Sequence, residues 1–309
     1  MPYGSRCCSS CGRNLSKGSY SNNQWRKGVG QSRCYACVEG GGGGGYGYND
    51  QQQPHNNQVV ENRSEQTARR NNAICATFEN YELTHPFAEG GFRWVAKGKY
   101  IEGERSGEEC VCKWFKSGHV DQAKFFDLDI KAMEKAHDLV KEWNNRHMID
   151  KMVMVNIPEV WTFCAGHLLG KKVLQEPFIK NYQKFNSNTG WADTDTPWPR
   201  VMQALSHFSY HVSAGQFVLC DLQGGVYSDA VVLTDPVILS RGKLYGETDL
   251  GPQGISSFFS NHQCNEFCSS SWSRPADQRQ YHRPQPGTSM AGGTGAYQHV
   301  PTYRGGRGY

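Results

Sequence analysis

The sequence lacks any long apolar run. No stretch approaches the ~18–20 consecutive apolar residues that cross a membrane, which excludes a membrane-spanning helix. Its opening, Met-Pro-Tyr-Gly-Ser-Arg-Cys-Cys, holds no apolar signal core, so a cytoplasmic or nuclear location is expected. Apolar residues are sparse, at 37%, and 35 residues are glycine, a balance that predicts a folded centre with soft ends. Charge of one sign is lacking as well. A net +4 is too small to argue for nucleic acid by itself. Residues 1–38 contain no acidic side chain at all, although Arg6, Arg13, Lys17, Arg26, Lys27 and Arg33 lie there. No internal repeat is present.

What is plentiful is cysteine. Twelve cysteines in a reducing compartment are not expected to form a disulfide framework. Several stand at metal-ligand spacings, which points to zinc.

Composition divides the chain into four parts. Residues 1–38 are rich in Cys, Ser, Arg and Lys. Residues 39–71 open with Gly40 to Gly45 and continue Gln/Asn-rich, as a flexible linker does. Residues 72–272 hold seven of the eight tryptophans and nearly all the long apolar segments. Residues 273–309, rich in Gly, Pro, Arg and Tyr, read as a disordered tail. Its Arg304-Gly305-Gly306-Arg307 run hints only weakly at RNA contact.

In the central part, alternating or β-favouring residues predict strands over Ala73 to Leu83, Phe92 to Ile101 and Cys110 to Phe115. Phe126, Ile130, Met133, His137 and Val140 recur at helical spacing, which predicts a long amphipathic helix over Val120 to Arg146. Short strands are expected at Val153 to Asn156 and Lys172 to Phe178, then a helix over Val201 to Ala214. Two buried strands, Phe217 to Asp221 and Val231 to Thr234, precede a last helix from Gly254 through Cys268. Strands first and helices later make an α+β domain with two lobes.

Five features carry chemistry. Lys113 lies in the apolar strand Cys110-Val111-Cys112-Lys113-Trp114-Phe115, where an ammonium needs an anionic partner such as nucleotide phosphate. Glu176 leads the strand end Glu176-Pro177-Phe178. The run Phe217 to Cys220 ends in Asp221-Leu222-Gln223, and Leu233-Thr234 ends in Asp235. Two strand ends that each deliver an oxygen ligand suit Mg²⁺, and a spare carboxylate can orient or deprotonate an attacking hydroxyl. His262, Cys264 and Cys268 supply three zinc ligands, with Cys264 and Cys268 placed on one helix face. A fourth is needed, and His207 and His211 are both placed for it. Finally, Gly246-Glu247-Thr248-Asp249-Leu250-Gly251-Pro252-Gln253-Gly254 is a glycine-rich run entering a helix, able to bind phosphate through backbone N–H groups.

In this order the segments resemble the alpha-kinase family. The matching residues are Pro86 to Arg93, Cys112-Lys113, Glu176-Pro177-Phe178, Gln203 to His207, Asp221 to Gly224, Leu233 to Pro236, Asp249-Leu250-Gly251 and His262-x-Cys264-x₃-Cys268. The resemblance implies a bilobal kinase-like fold with a zinc module in the C-terminal lobe and transfer of the γ-phosphoryl group of ATP to Ser or Thr of a protein. It implies that Lys113 contacts ATP phosphates and that Glu176 sits near the adenine. Arg93 is implied as a structural or phosphate-side residue. Asp221 is implied as the catalytic acid-base, and Gln223 and Asp235 as Mg²⁺ ligands. The implied zinc set is His207, His262, Cys264 and Cys268. Many relatives carry Asn-Leu-Gly where this chain has Asp249-Leu250-Gly251, a departure that places a carboxylate in the expected phosphate segment.

The pairs Cys8/Cys11 and Cys34/Cys37 form a CxxC…CxxC pattern with zinc-finger spacing. With Leu15, Asn23-Gln24-Trp25 and Arg33-Cys34 it is similar to a small zinc domain of the Stc1 type. That likeness implies an adaptor for a protein or nucleic-acid partner. A zinc-finger adaptor with a catalytically degenerate kinase fold is the rival reading of the whole.

Overall fold

The β-favouring runs of the first half and the amphipathic runs of the second each become elements in a computed structural model of the chain. It describes residues 5–9, 14–28, 31–39, 59–64, 71–90, 93–116, 123–193 and 196–291. In chain order the elements begin β1 (Ser5–Cys7), β2 (Asn14–Ser16), α1 (Asn22–Arg26), α2 (Tyr35–Glu39), β3 (Val59–Ser64), β4 (Ala73–Glu79) and α3 (Asn80–Thr84). Next come β5 (Ala88–Glu89), β6 (Arg93–Gly103), β7 (Glu109–Phe115), α4 (Asp127–Asn145), β8 (Met152–Val155), β9 (Glu159–Phe163), β10 (Lys172–Pro177) and β11 (Tyr182–Lys184). The last are α5 (Trp198–Val212), β12 (Phe217–Cys220), β13 (Gln223–Val226), β14 (Ala230–Leu233), β15 (Val237–Ser240) and α6 (Gly251–Asn261). The content is mixed α and β, divided into two compact units.

The first unit comprises residues 1–125 and 158–178. Its main sheet has the order β4-β3-β9-β10-β7-β6-β5, and β4 pairs with β6 as well. That extra pairing closes six strands on themselves and leaves β5 outside the ring. Both strand faces are covered, so the burial of β7 is nearly continuous rather than alternating. Phe78, Tyr100, Trp161 and Phe163 fill the interior. The second unit comprises residues 126–157 and 179–309. There α4 and α5 pack with a four-stranded sheet, order β11-β13-β14-β8, and with the pair β12-β15. Trp143, Met202, Phe208 and Leu219 form its main core, and Phe258 and Phe259 a second one under α6.

Several expectations are corrected. The linker at 39–71 contains β3, which runs antiparallel to both β4 and β9. Val60 and Asn62, one pleat period apart, are both buried, and that short alternation is masked in the sequence by its Gln/Asn-rich flanks. The strand at Ala73 to Leu83 ends at Glu79 and turns into α3. The inward stripe of α4 is Ala132, Met133, Ala136, Leu139, Val140 and Trp143, so His137 faces solvent. The last helix stops at Asn261, and His262 to Cys268 form a turn-rich loop. The region 273–309 is ordered through residue 291: Tyr281 and His282 each donate a backbone N–H to Ser257 Oγ at 2.9 Å. The Arg304 to Arg307 run lies outside the described residues.

Candidate active site and metal centre

In the first unit, Lys113 of β7 lies opposite Leu174 of β10, and Glu176 is two residues further along the same strand face. The Lys113 ammonium pairs with Glu176 Oε1, and both side chains are buried. Charges taken out of water in this way hold together only as a pair. The resemblance implies a place near the adenine for Glu176; its carboxylate meets Lys113, because same-face positions on adjacent strands bring the two heads together. Gln175, on the opposite face, accepts a hydrogen bond from Asn62 Nδ2 at 2.8 Å and so ties β10 to β3. Arg93 begins β6 across from Phe115, with its guanidinium 4.8 Å from that ring.

In the second unit, the expected acid and amide residues do come together. Asp221 follows β12 in a left-handed conformation, φ +59°, and Asp235 follows β14 with φ +47°. Few non-glycine residues adopt this conformation, and it concentrates where a backbone must present a functional group. The Asp221 side chain is buried, 1% exposed. Gln223 donates from Nε2 to the Asp235 carbonyl at 3.3 Å, which fixes its Oε1 in the other direction. Both that Oε1 and Asp221 Oδ1 lie 2.9 Å from Lys184 Nζ.

Lys184 was not anticipated. It ends β11 in register with Gln223. The loop after it, Phe185 to Gly190, is buried despite four polar residues in a row. Asn186 accepts from the Leu222 N–H at 2.8 Å and donates to Ser206 Oγ at 3.0 Å, so this loop braces the Asp221 turn. The sequence signal was the run Lys184-Phe185-Asn186-Ser187-Asn188, too polar for an ordinary strand and lacking the charge of a solvated loop.

The glycine-rich segment is reassigned in part. Asp249 is fully buried and points inward. Its Oδ1 accepts from the Ser240 N–H at 2.8 Å and the Gly251 N–H at 3.0 Å, and its Oδ2 from the Ser240 hydroxyl at 2.5 Å and the Tyr245 N–H at 3.3 Å. Four donors occupy the carboxylate, so it is a loop brace and not a phosphate or metal ligand. Gly254 is a packing position: a Cβ there would lie 2.7 Å from Leu250 Cβ. Gly246, in the turn before α6, and Gly251, the first residue of that helix, both have positive φ.

A separate cluster joins α5 to the loop after α6. One ligand atom from each of His207, His262, Cys264 and Cys268 lies within 4.8 Å of the others. His262 Nε2 is 3.2 Å from His207 Nδ1, and Cys264 Sγ is 3.6 Å from His207 Nδ1 and 3.9 Å from His262 Nε2. Cys268 Sγ is 3.8 Å from His262 Nε2. Tetrahedral zinc with bonds of ~2.0–2.1 Å to nitrogen and ~2.3 Å to sulfur separates N from N by about 3.3 Å and N from S by about 3.6 Å. The donor set therefore fits. His207 Nε2 lies 3.1 Å from the Ser273 carbonyl, a partner that requires the proton on Nε2 and leaves the Nδ1 lone pair facing the cluster. Burial lowers the pKa of His207, and burial with the neighbouring His207 and Arg274 lowers that of His262 to about 3, both in the direction of a neutral ring. His211 turns instead to Ser273 and Trp272.

Near the N-terminus, Cys8, Cys34 and Cys37 also converge. Cys11 lies outside the described residues. The Cys34 N–H donates to Cys8 Sγ at 3.2 Å, and Arg6 stacks 3.8 Å from the Trp25 ring.

The sequence pattern of the Alpha-kinase family matches residues 88–268. The chain belongs to the alpha-kinase family. It is 33% identical over 212 residues to alpha-protein kinase 1 of Dictyostelium discoideum, covering 65% of this chain and 15% of that protein. It is 27% identical over 233 residues to eukaryotic elongation factor 2 kinase of Rattus norvegicus, covering 68% of this chain and 30% of the relative. The chain thus spans under a third of the length of these curated relatives. An alpha kinase from Entamoeba histolytica shares the fold with a TM-score of 0.57 at 20% identity, over 77% of this chain and 100% of that one. The alpha-kinase domain of myosin heavy chain kinase A, solved in complex with AMP, gives 0.52 at 20% identity over 68% of this chain and 96% of its own.

Proposed function

We propose that this chain is an ATP-dependent protein kinase that transfers the γ-phosphoryl group of ATP to Ser or Thr of a protein substrate. One observation carries the reading: a buried carboxylate, Asp221, and an oriented amide, Gln223, converge on one cation, Lys184, beside the second acid, Asp235. Oxygen donors gathered around positive charge suit a hard cation, and Gln223 and Asp235 would hold Mg²⁺. When bound, Mg²⁺ neutralises charge developing on the transferring phosphoryl group. Asp221 accepts the proton of the attacking hydroxyl, and Lys184 holds the carboxylate in place. Lys113, its charge conserved by Glu176, offers its ammonium to the phosphates. Arg93 in the first unit, and Gly246 and Gly251 in the second, are each proposed as nucleotide-binding residues.

Asp249, the departure from the family pattern, is taken up by inward hydrogen bonds, which favours catalysis over a zinc-finger adaptor with a degenerate kinase fold. Zinc is proposed in both thiol clusters. In the first cluster it would tie α5 to the chain after α6. In the second, Cys8, Cys11, Cys34 and Cys37 would form a recruiting finger of the Stc1 type for a protein or nucleic-acid partner. Cysteines kept reduced to serve as metal ligands would go with a cytoplasmic or nuclear location. The test is purified chain with labelled ATP, Mg²⁺ and a generic basic protein, followed by phosphoamino-acid analysis. Label on Ser or Thr is expected; no transfer, with folding verified by circular dichroism, overturns the proposal.

A further inference from the structure

Formal charge is divided unevenly along the chain. Six of its 33 Lys and Arg, and none of its 29 Asp and Glu, lie in residues 1–38, so this segment carries +6 and the remainder −2. Zinc held by four thiolates has a formal charge of −2, which leaves the module cationic. The cations differ in placement. Arg6 is used inside the module: its Nη1 donates to the Trp25 carbonyl at 2.5 Å and to the Ser32 hydroxyl at 2.8 Å, and its guanidinium lies 3.8 Å from the Trp25 ring. Lys17, Arg26, Lys27 and Arg33 are exposed, and Arg13 lies outside the described residues. Arg26 ends α1 and Lys27 caps it. The Arg33 N–H donates to Gln24 Oε1 at 3.0 Å, which fixes Arg33 beside that helix. Two residues on, Tyr35 opens α2 and is 44% exposed.

We infer that this face of the N-terminal module binds single-stranded RNA, with Arg26, Lys27 and Arg33 on the phosphates and Tyr35 against a base. This rests on the finger reading above and not on the kinase reading. Phosphodiesters, one per nucleotide, match a group of exposed cations in a segment without a carboxylate. Unpaired bases stack on exposed aromatic rings, and Tyr35 offers one close to Arg33. RNA presents such bases in its loops, bulges and ends. A duplex fits less well. The helices α1 and α2 have five residues each, about 7.5 Å of helix, too short to lay a row of side chains along a major groove. An acidic protein segment would satisfy the cations and leave the ring without a stacking partner. Binding of this kind brings the alpha-kinase region to proteins assembled on the same RNA.

The test is fluorescence anisotropy of a labelled oligouridine, about 20 nucleotides long to exceed the site size of a small single-strand binder, with the full zinc-loaded chain. Three or four phosphate contacts predict an affinity that falls roughly 20–50-fold between about 50 and 200 mM salt. Arg26→Gln with Lys27→Gln should weaken binding about ten-fold or more and flatten the salt slope by about 1.4. Tyr35→Ala should weaken it about five-fold or more, and Tyr35→Phe should stay within about two-fold, because the ring does the stacking. These variants should keep the zinc content and melting temperature of the parent chain. A duplex RNA, a polyglutamate peptide or phosphatidylserine vesicles bound as tightly as oligouridine overturn the inference, as does an oligothymidine bound more than about ten-fold tighter. So does oligouridine binding that the Arg26, Lys27 and Tyr35 variants leave unchanged, which places the contact elsewhere in the chain. A chain that holds two zinc ions and binds no RNA overturns this inference alone. A zinc content that Cys34→Ala leaves unchanged overturns the finger reading, and this inference with it.

Discussion

Asp249 grips Ser240 through both of its oxygens, Oδ1 taking the backbone N–H at 2.8 Å and Oδ2 the hydroxyl at 2.5 Å. The same carboxylate gathers the Tyr245 and Gly251 N–H groups, so the turn that follows β15 is built around one side chain. Removing it strands buried donors, each costing about 1–3 kcal/mol. Asp249→Ala should therefore destabilise the second unit by roughly 3 kcal/mol or more. Asp249→Asn keeps an acceptor oxygen and should cost about 1–2 kcal/mol, with KM for ATP within two-fold of the parent chain. Denaturant melts and ATP titrations check both; a many-fold drop in KM would return Asp249 to the phosphate site.

Lys113 and Glu176 make a second test in which folding and chemistry come apart. Truncating Lys113 takes its ammonium away from the buried Glu176 carboxylate, a loss of about 3–5 kcal/mol. Lys113→Ala should thus be inactive and visibly less stable. The double variant Lys113→Met with Glu176→Gln removes both charges at similar volume. It should regain most of the melting temperature and none of the phosphotransfer. A double variant that recovers activity would show that the ammonium does not act on phosphate.

The cysteine and acidic motifs were legible in the sequence because their chemistry needs particular residue types at short spacings. His262, Cys264 and Cys268 lie within seven residues, and Asp221 and Gln223 within three. What was hidden depends on pairing across distance. The Lys113–Glu176 ion pair comes from the register of β7 against β10, which no local pattern encodes. Lys184 reaches Asp221 only because β11 adds to β13. The strand β3 is short and flanked by polar sequence, so its two inward positions cannot signal a period. The segment 285–291 is mostly Gly, Pro and polar residues with almost nothing to bury; hydrogen bonds between Asn188 and Ser289 and between Gln285 and Thr189 hold it, not hydrophobic burial.

The His207, His262, Cys264 and Cys268 cluster predicts metal-dependent folding. It ties α5, which carries the Ser206 brace of the active-site loop, to the chain beyond α6. Structural zinc contributes on the order of 10 kcal/mol in small modules, as much as the net stability of a whole domain. Cys268→Ala, or exhaustive chelation, should lower the melting temperature of the kinase region by more than 10 °C and abolish activity. Metal analysis of the full chain should find two zinc ions, one of them lost in Cys34→Ala with activity toward a generic basic protein retained.

Shortening the chain from its N-terminus separates the Cys8, Cys34 and Cys37 cluster from the alpha-kinase region, and β3 sets the boundary. This strand lies between β4 and β9 in the closed sheet. Asn62 donates to Gln175 in the interior, and Gln175 is the neighbour of Glu176. A chain beginning at His55 keeps the strand, so it should hold one zinc ion and retain activity toward a generic basic protein within about two-fold. A chain beginning at Glu65 loses five residue pairings with β4 and three with β9, and leaves the buried Gln175 carbonyl without its Asn62 donor. The ring then opens between β4 and β9, one strand away from β10, which carries Glu176. That chain should express poorly, or melt well below the longer one, and be inactive. If the chain starting at Glu65 matched the one starting at His55 in melting temperature and turnover, β3 would be dispensable and the expected linker would extend to residue 71 after all.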